Sequence, residues 1–279
     1  MAPHTPAPTA PSAPARVAFI GGGNMASALI GGLLKAGHAP ADITVVEPFE
    51  AQRQKLAAQF GVAPLAAADA SLAQAALVVW AVKPQLFAEA AAPCAAHVAG
   101  ALQLSVMAGV RSASVVAATG SARVVRAMPN TPALIGRGIA GLHASAAVTA
   151  AERAQVDALL APTGATLWVD QEADLDAVTA LSGSGPAYVF YVLEAMVQAG
   201  VELGLREADA RTLAQATFDG AAALATASPL QPAELRAQVT SKGGTTFAAI
   251  TSLDESGVKP AFVKALHAAA QRAKELGGG

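Results

Sequence analysis

Residues 16–37 read RVAFIGGGNMASALIGGLLKAG, and this stretch decides the fold. Its first part, Val17 to Ile20, is a short continuous apolar run, as expected of a strand buried on both faces. It runs directly into Gly21-Gly22-Gly23-Asn24-Met25-Ala26, a G-x-G-x-x-A turn that opens a helical pattern lasting to about Ala36. Strand, glycine turn and helix in that order are the context in which a dinucleotide pyrophosphate is held. Gly21 permits the tight turn, Gly23 lets the backbone approach the phosphates, and the small Ala26 lets helix and strand pack closely. The free N–H groups and the dipole of the helix start favour the anion, so Asn24 and Met25 belong to the expected site as well. The competing reading is a glycine turn used for packing alone.

Outward from this unit the same grammar repeats to about Asp170. Apolar runs at Ile43 to Val46, Leu77 to Val82, Leu102 to Val106 and Val124 to Ala127 alternate with alanine-rich helical stretches, which predicts a parallel, doubly wound α/β sheet. Further strands are expected at Gly138 to His143 and Thr166 to Val169, with a helix from Thr149 to Leu160 between them. After Asp170 the strand signals stop. Helical patterns follow at Gly185 to Gly204, Glu207 to Ala227, Pro232 to Val239, Thr245 to Glu255 and Lys259 to Leu276, separated by Gly and Pro punctuation. The expected organisation is a tail at 1–15, a Rossmann-like domain at 16–170 and an all-helical domain at 171–279.

Composition narrows the function classes. Apolar residues are 53% and charged residues 14% of the 279, but the apolar excess is mostly alanine and signals no membrane segment. The most membrane-like stretch, Pro186 to Gly204, carries Glu194, Gln198 and Glu202 at helical spacing, which gives a helix a polar stripe. With 18 basic and 20 acidic residues the net charge is −2 and no basic cluster forms, so a nucleic-acid partner is not expected. The single cysteine, Cys94, and five scattered histidines offer no metal-ligand spacing; no metal is expected, and Cys94 reads as a packing residue. Met1 to Ala15 is rich in Pro, Ala and Thr and has no apolar run preceded by positive charge, so a disordered tail of a cytoplasmic protein is expected.

Three further places bear on the cofactor. Glu47 ends the second strand, where an acidic residue holds the ribose hydroxyls of NAD and would repel the 2′-phosphate of NADP. Arg53, six residues on, is placed to offset that repulsion, so NADH and NADPH both stay open; the bland reading of both side chains is solvated surface charge. Ala81-Val82-Lys83-Pro84 closes the Leu77 to Val82 strand and Ala108-Gly109 follows the next one, both at carboxyl ends of strands where ligands of open α/β sheets bind. The small residues at 108 and 109 would leave room for a nicotinamide ring; a packing turn is the alternative for each.

In the helical half, Leu181 to Tyr188 (LSGSGPAY) and Val239 to Thr246 (VTSKGGTT) are small, hydroxyl-rich loops that open helices. The second brings Ser241, Gly243, Gly244, Thr245 and Thr246 to a helix start, where unpaired N–H groups and hydroxyls suit a carboxylate. A capping sequence alone is the other reading.

The ordered set VAFIGGGNMASALIGGL, AVKP, RAMPNTP, LSGSGPAYVF and VTSKGGTTFAAITSLDE resembles the pyrroline-5-carboxylate reductase family from Arg16 to the last helix. The resemblance implies a Rossmann-like domain and a helical domain that builds a homodimer, with higher homo-oligomers also open. It implies NADPH or NADH bound by Gly21 to Ala26 and Ala81 to Pro84, and hydride transfer to the C=N bond of 1-pyrroline-5-carboxylate to give L-proline. By position, Ser241, Gly243, Gly244, Thr245 and Thr246 would bind the substrate carboxylate, with Thr246 near the imine nitrogen; Lys242 carries over least well. A protonated cyclic imine is already electrophilic, so positioning plus one hydroxyl suffices in principle, and no catalytic His, Lys or carboxylate pair is required. The rivals are a β-hydroxyacid dehydrogenase, which the glycine turn followed by Leu34 to His38 also resembles, and a non-catalytic dinucleotide sensor. The first would need a lysine on the Gly185 to Gly204 helix, and none is there.

Overall fold

The computed structural model describes residues 16–278, so the expected tail lies outside the described residues. They form two compact units, one containing residues up to Gly183 together with the last turns from Arg272, the other Ser184–Gln271.

The first unit is a seven-stranded sheet: β1 Val17–Ile20, β2 Ile43–Val46, β3 Leu77–Trp80, β4 Leu102–Ser105, β5 Val124–Met128, β6 Gly138–Ala144 and β7 Gly164–Trp168, in the order β2-β1-β3-β4-β5-β6-β7. Helices α1 Asn24–Lys35, α2 Glu50–Phe60, α3 Phe87–Ala91, α4 Ala95–Val98, α5 Ser112–Thr119, α6 Ala150–Leu160 and α7 Asp174–Val178 belong to the same unit. All neighbouring strands run parallel except β5 and β6, which are antiparallel. The five runs expected to be parallel, β1 to β5, are so; β6 turns back for a geometric reason. Residues 129–137 joining β5 to β6 are fewer than the roughly a dozen that a parallel crossover requires.

Both faces of the sheet are covered, as the continuous apolar strands require. In β1, Val17 and Phe19 pack with Leu29, Ile30, Leu33 and Leu56, while Ala18 and Ile20 turn to the other side with Val78, Trp80, Phe87 and Val98. Each such large side chain contributes about 1.5–3 kcal/mol by leaving water. On the second face the buried Trp80 indole donates to Gln103 Oε1 (2.8 Å), and Gln103 Nε2 donates to the carbonyls of Val98 (2.8 Å) and Ala101 (2.9 Å). Every polar atom of that pair is therefore matched, which is what makes it tolerable in a core.

Strand order places the switch point. β1 lies between β2 and β3, so the β1–β2 and β2–β3 connections run in opposite lateral directions, and a crevice opens beyond the carboxyl ends of these strands. The glycine turn after β1 and the Ala81 to Pro84 turn after β3 both sit on that edge.

A partly buried ionic cluster ties α7 to the sheet. Glu172 Oε1 accepts from Arg126 Nη1 of β5 (2.9 Å) and from the Ser112 N–H that starts α5 (2.6 Å), and Arg111 Nη2 donates to Asp176 Oδ2 (2.8 Å). Burial would raise the Glu172 carboxyl, but the Ser112 and Arg126 hydrogen bonds override it and hold it below its ordinary value. After α7 the chain widens into a π-helical turn, Thr179–Gly183.

The second unit is helical: α8 Gly185–Glu202, α9 Glu207–Ala227, α10 Pro232–Gln238, α11 Thr245–Glu255 and most of α12 Val258–Leu276. Helices α8 and α9 approach so closely that a Cβ on Gly200 would stand 2.7 Å from that of Ala210. Yet large apolar side chains here stay in solvent, among them Phe190 (57% exposed), Tyr191 (74%) and Leu203 (85%). Among the described residues no helix is long and apolar enough to cross a membrane.

Glu172→Gln is expected to lower stability by about 1–3 kcal/mol at neutral pH, the cost of weakening hydrogen bonds to a charged group. A carboxyl depressed in the folded state contributes above its unfolded pKa and loses that contribution as pH falls through its folded pKa. Denaturant melts should therefore show the wild-type and variant curves converging in acid; a constant gap from neutral to acid pH would show that the charge is not the cause.

Candidate active site

The crevice edge is built from three strand ends. Gly21 has φ +95°, and a Cβ on it would lie 2.7 Å from the Ala81 carbonyl oxygen, so the tight turn and the close approach to the β3 end both require glycine. Its N–H donates to the Val46 carbonyl (2.9 Å), while the Ala81 N–H donates to Ile20 (2.9 Å). Gly22 is constrained as well, since a Cβ there would press on Leu56 Cδ1 at 2.5 Å. Gly23 has nothing within 4 Å of that position, which leaves its outer face open. Beyond it, the N–H groups of Asn24, Met25 and Ala26 at the α1 start have no hydrogen-bond partner among the described residues. Ala26 is fully buried under the sheet.

Glu47 is not a solvated surface charge. It is 6% exposed, and its carboxylate accepts from the Gly22 N–H (Oε2, 2.9 Å) and the Phe49 N–H (Oε1, 3.0 Å). Arg53 Nη1 donates to the carbonyls of Glu47 (3.0 Å) and Pro48 (2.6 Å). The acidic side chain therefore braces the glycine turn from the end of β2, a role its position in the sequence did not reveal.

Beside this turn lies a cavity of about 440 Å³, lined by Gly21, Val46, Pro48, Phe49, Val82 and Cys94 among others. That volume is in the range of small-molecule sites. Phe49 is 70% exposed at its rim, an unusual place for a large apolar ring and one that suits a planar base. Cys94 is buried, and burial pushes its thiol up to about 11, so it packs and does not react. Ala81 and Val82 are half-buried at the crevice, Lys83 points to solvent and Pro84 starts the next short helical turn. Ala108 and Gly109 follow β4, and the space beside Gly109 is already taken, since a Cβ would meet the Leu276 carbonyl oxygen at 3.0 Å. Its smallness has a packing reason in addition to any ligand.

The helical unit holds the second set. The Gly244 N–H donates to the Ser241 carbonyl (3.0 Å), closing a turn whose third residue, Gly243, has φ +75°. A Cβ on Gly244 would come within 2.8 Å of Ser241 Oγ, so the loop folds tightly around this position, while Gly243 is required by its positive φ. Gly244 caps α11 without any side-chain hydrogen bond. The N–H groups of Thr245, Thr246 and Phe247 and the Thr246 hydroxyl find no partner among the described residues. That counts against a purely capping role for this threonine. Lys242 is exposed. Ser241, Gly243, Gly244, Thr245 and Thr246 are thus gathered by one turn, separately from the crevice residues of the first unit.

Sequence reasoning missed the π-helical turn and its neighbour Asn130, whose Nδ2 donates to the Ser182 carbonyl (3.2 Å) while its Oδ1 accepts from the Ile139 N–H (3.0 Å). Asn130 sits inside the RAMPNTP segment, so a motif pointed to the place without giving the contact.

Comparison with known proteins decides the family. A pyrroline-5-carboxylate reductase from Pseudomonas aeruginosa is 46% identical over 265 residues, covering 94% of this chain and 96% of that one. The chain belongs to the pyrroline-5-carboxylate reductase family. The family model described as pyrroline-5-carboxylate reductase dimerisation matches residues 172–276, and one described as NADP oxidoreductase coenzyme F420-dependent matches 16–109. The solved pyrroline-5-carboxylate reductase of Coxiella burnetii superposes with a TM-score of 0.87 at 35% identity, over 94% of this chain and 98% of that one. A pyrroline carboxylate reductase of Plasmodium falciparum, solved with NADP bound, gives 0.85 at 25% identity over 95% and 99%. Members of this reductase family are NAD(P)H-dependent oxidoreductases acting on an imine, which agrees with the crevice and with the absence of a lysine from α8.

Proposed function

We propose that this protein reduces 1-pyrroline-5-carboxylate to L-proline with a reduced nicotinamide cofactor, the last step of proline biosynthesis. The observation that carries the reading is the near full-length likeness to the Pseudomonas aeruginosa reductase. The glycine turn with open N–H groups and the Ser241 to Thr246 loop support it.

The crevice fits NADH or NADPH. Gly23, Asn24, Met25 and Ala26 would offer unpaired N–H groups or an open face to the pyrophosphate, and Gly21, Glu47 and Ala81 to Pro84 would border the rest of the cofactor. Ala108 and Gly109 would lie toward the nicotinamide. The cofactor supplies the hydride; the chain's own residues supply position. Ser241, Gly243, Gly244, Thr245 and Thr246 would hold the substrate carboxylate with backbone N–H groups and hydroxyls. Thr246 would hydrogen-bond the imine nitrogen. An electrophilic iminium needs little more than near-attack geometry, so a site without a paired acid and base is chemically adequate.

The same reading assigns the helical domain to a homodimer, whose partner copy would cover side chains such as Phe190, Tyr191 and Leu203 that one chain leaves in water.

The purified protein is expected to consume NADH or NADPH on addition of pyrroline-5-carboxylate and to form proline, followed by nicotinamide absorbance and amino-acid analysis. Oxidation of a hydroxy acid with no turnover of the imine would instead select the β-hydroxyacid dehydrogenase reading. Thr246→Val should lower kcat/KM by about 10- to 100-fold, the effect of losing roughly 1.5–3 kcal/mol of hydrogen bonding to a charged group, with cofactor affinity nearly unchanged. A lowered melting temperature with unchanged kcat/KM would remove Thr246 from the site. Light scattering at micromolar concentration should give at least a dimer mass; a fully active monomer is incompatible with the assignment.

A further inference from the structure

The glycine turn and the end of β2 carry information about which nicotinamide cofactor is preferred. Glu47 stands where the fold places the adenosine ribose. It is held there. Its Oε2 accepts from the Gly22 N–H at 2.9 Å and its Oε1 from the Phe49 N–H at 3.0 Å, and only 6% of the residue reaches solvent. A carboxylate pinned by two backbone donors still has free lone pairs to accept from ribose hydroxyls, since each oxygen can take a second hydrogen bond. A phosphate brings no donor at neutral pH and adds close to two negative charges. Next to a carboxylate screened from water, that repulsion is not relieved by solvent.

Two escapes are restricted by the contacts. Glu47 cannot swing aside to admit a phosphate without surrendering the Gly22 N–H, and that bond holds the turn on which the pyrophosphate would rest. Arg53, the nearby cation, has its Nη1 committed to the carbonyls of Glu47 (3.0 Å) and Pro48 (2.6 Å), which hold it against the backbone of the β2 end. The adjoining cavity supplies no replacement. Its one charged lining residue is Glu89, a second carboxylate.

We infer that Glu47, fixed by the Gly22 and Phe49 N–H groups, makes this reductase prefer NADH over NADPH. The inference rests on the reading of the crevice as a nicotinamide site. It goes beyond that reading by assigning the cofactor preference and the residue that sets it.

The test is titration calorimetry of the full chain with NADH and with NADPH, for wild type and Glu47→Gln, with melting temperatures recorded alongside. Wild type should bind NADH about tenfold tighter than NADPH or more, a difference of about 1.4 kcal/mol per tenfold. Glu47→Gln keeps an oxygen acceptor for the Gly22 N–H while removing the charge, and should shrink the ratio about tenfold, mainly by tightening NADPH. Because the ratio is taken within each protein, a general loosening of the turn cancels from it. Equal or tighter binding of NADPH by wild type overturns the inference, even if the variant fails to fold, and so does a ratio that Glu47→Gln leaves unchanged. Turnover of pyrroline-5-carboxylate measured with both cofactors separates the two levels. Tight NADH binding without turnover sinks the proposed reaction and leaves Glu47 as the selector, whereas turnover with NADPH bound more tightly sinks the selector and leaves the reaction.

Discussion

Three strand ends converge on Gly21, and the rest of the first unit depends on that convergence. Gly21 donates to Val46 at the end of β2, Ala81 at the end of β3 donates back to Ile20, and Gly22 donates to the Glu47 carboxylate. No Cβ fits at Gly21, where the Ala81 carbonyl occupies the position, and one at Gly22 would have to displace Leu56. The result is an edge whose backbone donors are split between two uses: some lock the strands together, and those at the start of α1 remain free. A helix start with unused N–H groups is tolerable at an exposed edge and costly in a core, so the same arrangement that closes the sheet also leaves it poised for an anion.

The helical unit obeys a different constraint. Helix packing within one chain buries small residues, as Gly200, Ala210 and Ala214 show, while the larger apolar side chains of α8 and α9 stay exposed. Such an arrangement is stable when a further surface covers those side chains, and burial of each large one is worth about 1.5–3 kcal/mol. The match of a dimerisation family model to residues 172–276 is therefore in keeping with the physics of the unit.

Most of the fold was legible because its signals are local. Strands buried on both faces read as unbroken apolar runs, and β1 and β2 have the boundaries their runs predict; β3 and β4 end slightly earlier, where the chain begins to turn. Helix boundaries followed Gly and Pro, as at Pro186, Gly204 and Gly244. What the sequence concealed is what distant residues decide. The direction of β6 was set by the length of a connection, and the Arg126–Glu172 pair by an approach across 46 positions; the π-helical turn at Thr179 to Gly183 left no mark in the residue pattern. Glu47 is the instructive case. Its place in the sequence allowed a ribose ligand or a surface charge, and the structure shows a buried brace, because neither the Gly22 N–H nor the depth of the crevice can be read from a string of residues.

The chemistry explains the sparseness of the candidate site. Enzymes that abstract a proton from carbon need a base of matched pKa, and such groups reveal themselves through burial and coupled charges. Among the described residues the strongly connected ionic groups, Arg126, Glu172, Arg111 and Asp176, hold α7 to the sheet, and the candidate substrate loop has hydroxyls and backbone N–H groups in place of titrating side chains. A substrate that arrives as an electrophilic, carboxylate-bearing iminium carries its own activation and its own handle. Such a substrate asks for small, uncharged donors, and the candidate loop offers glycine and threonine in place of histidine or lysine.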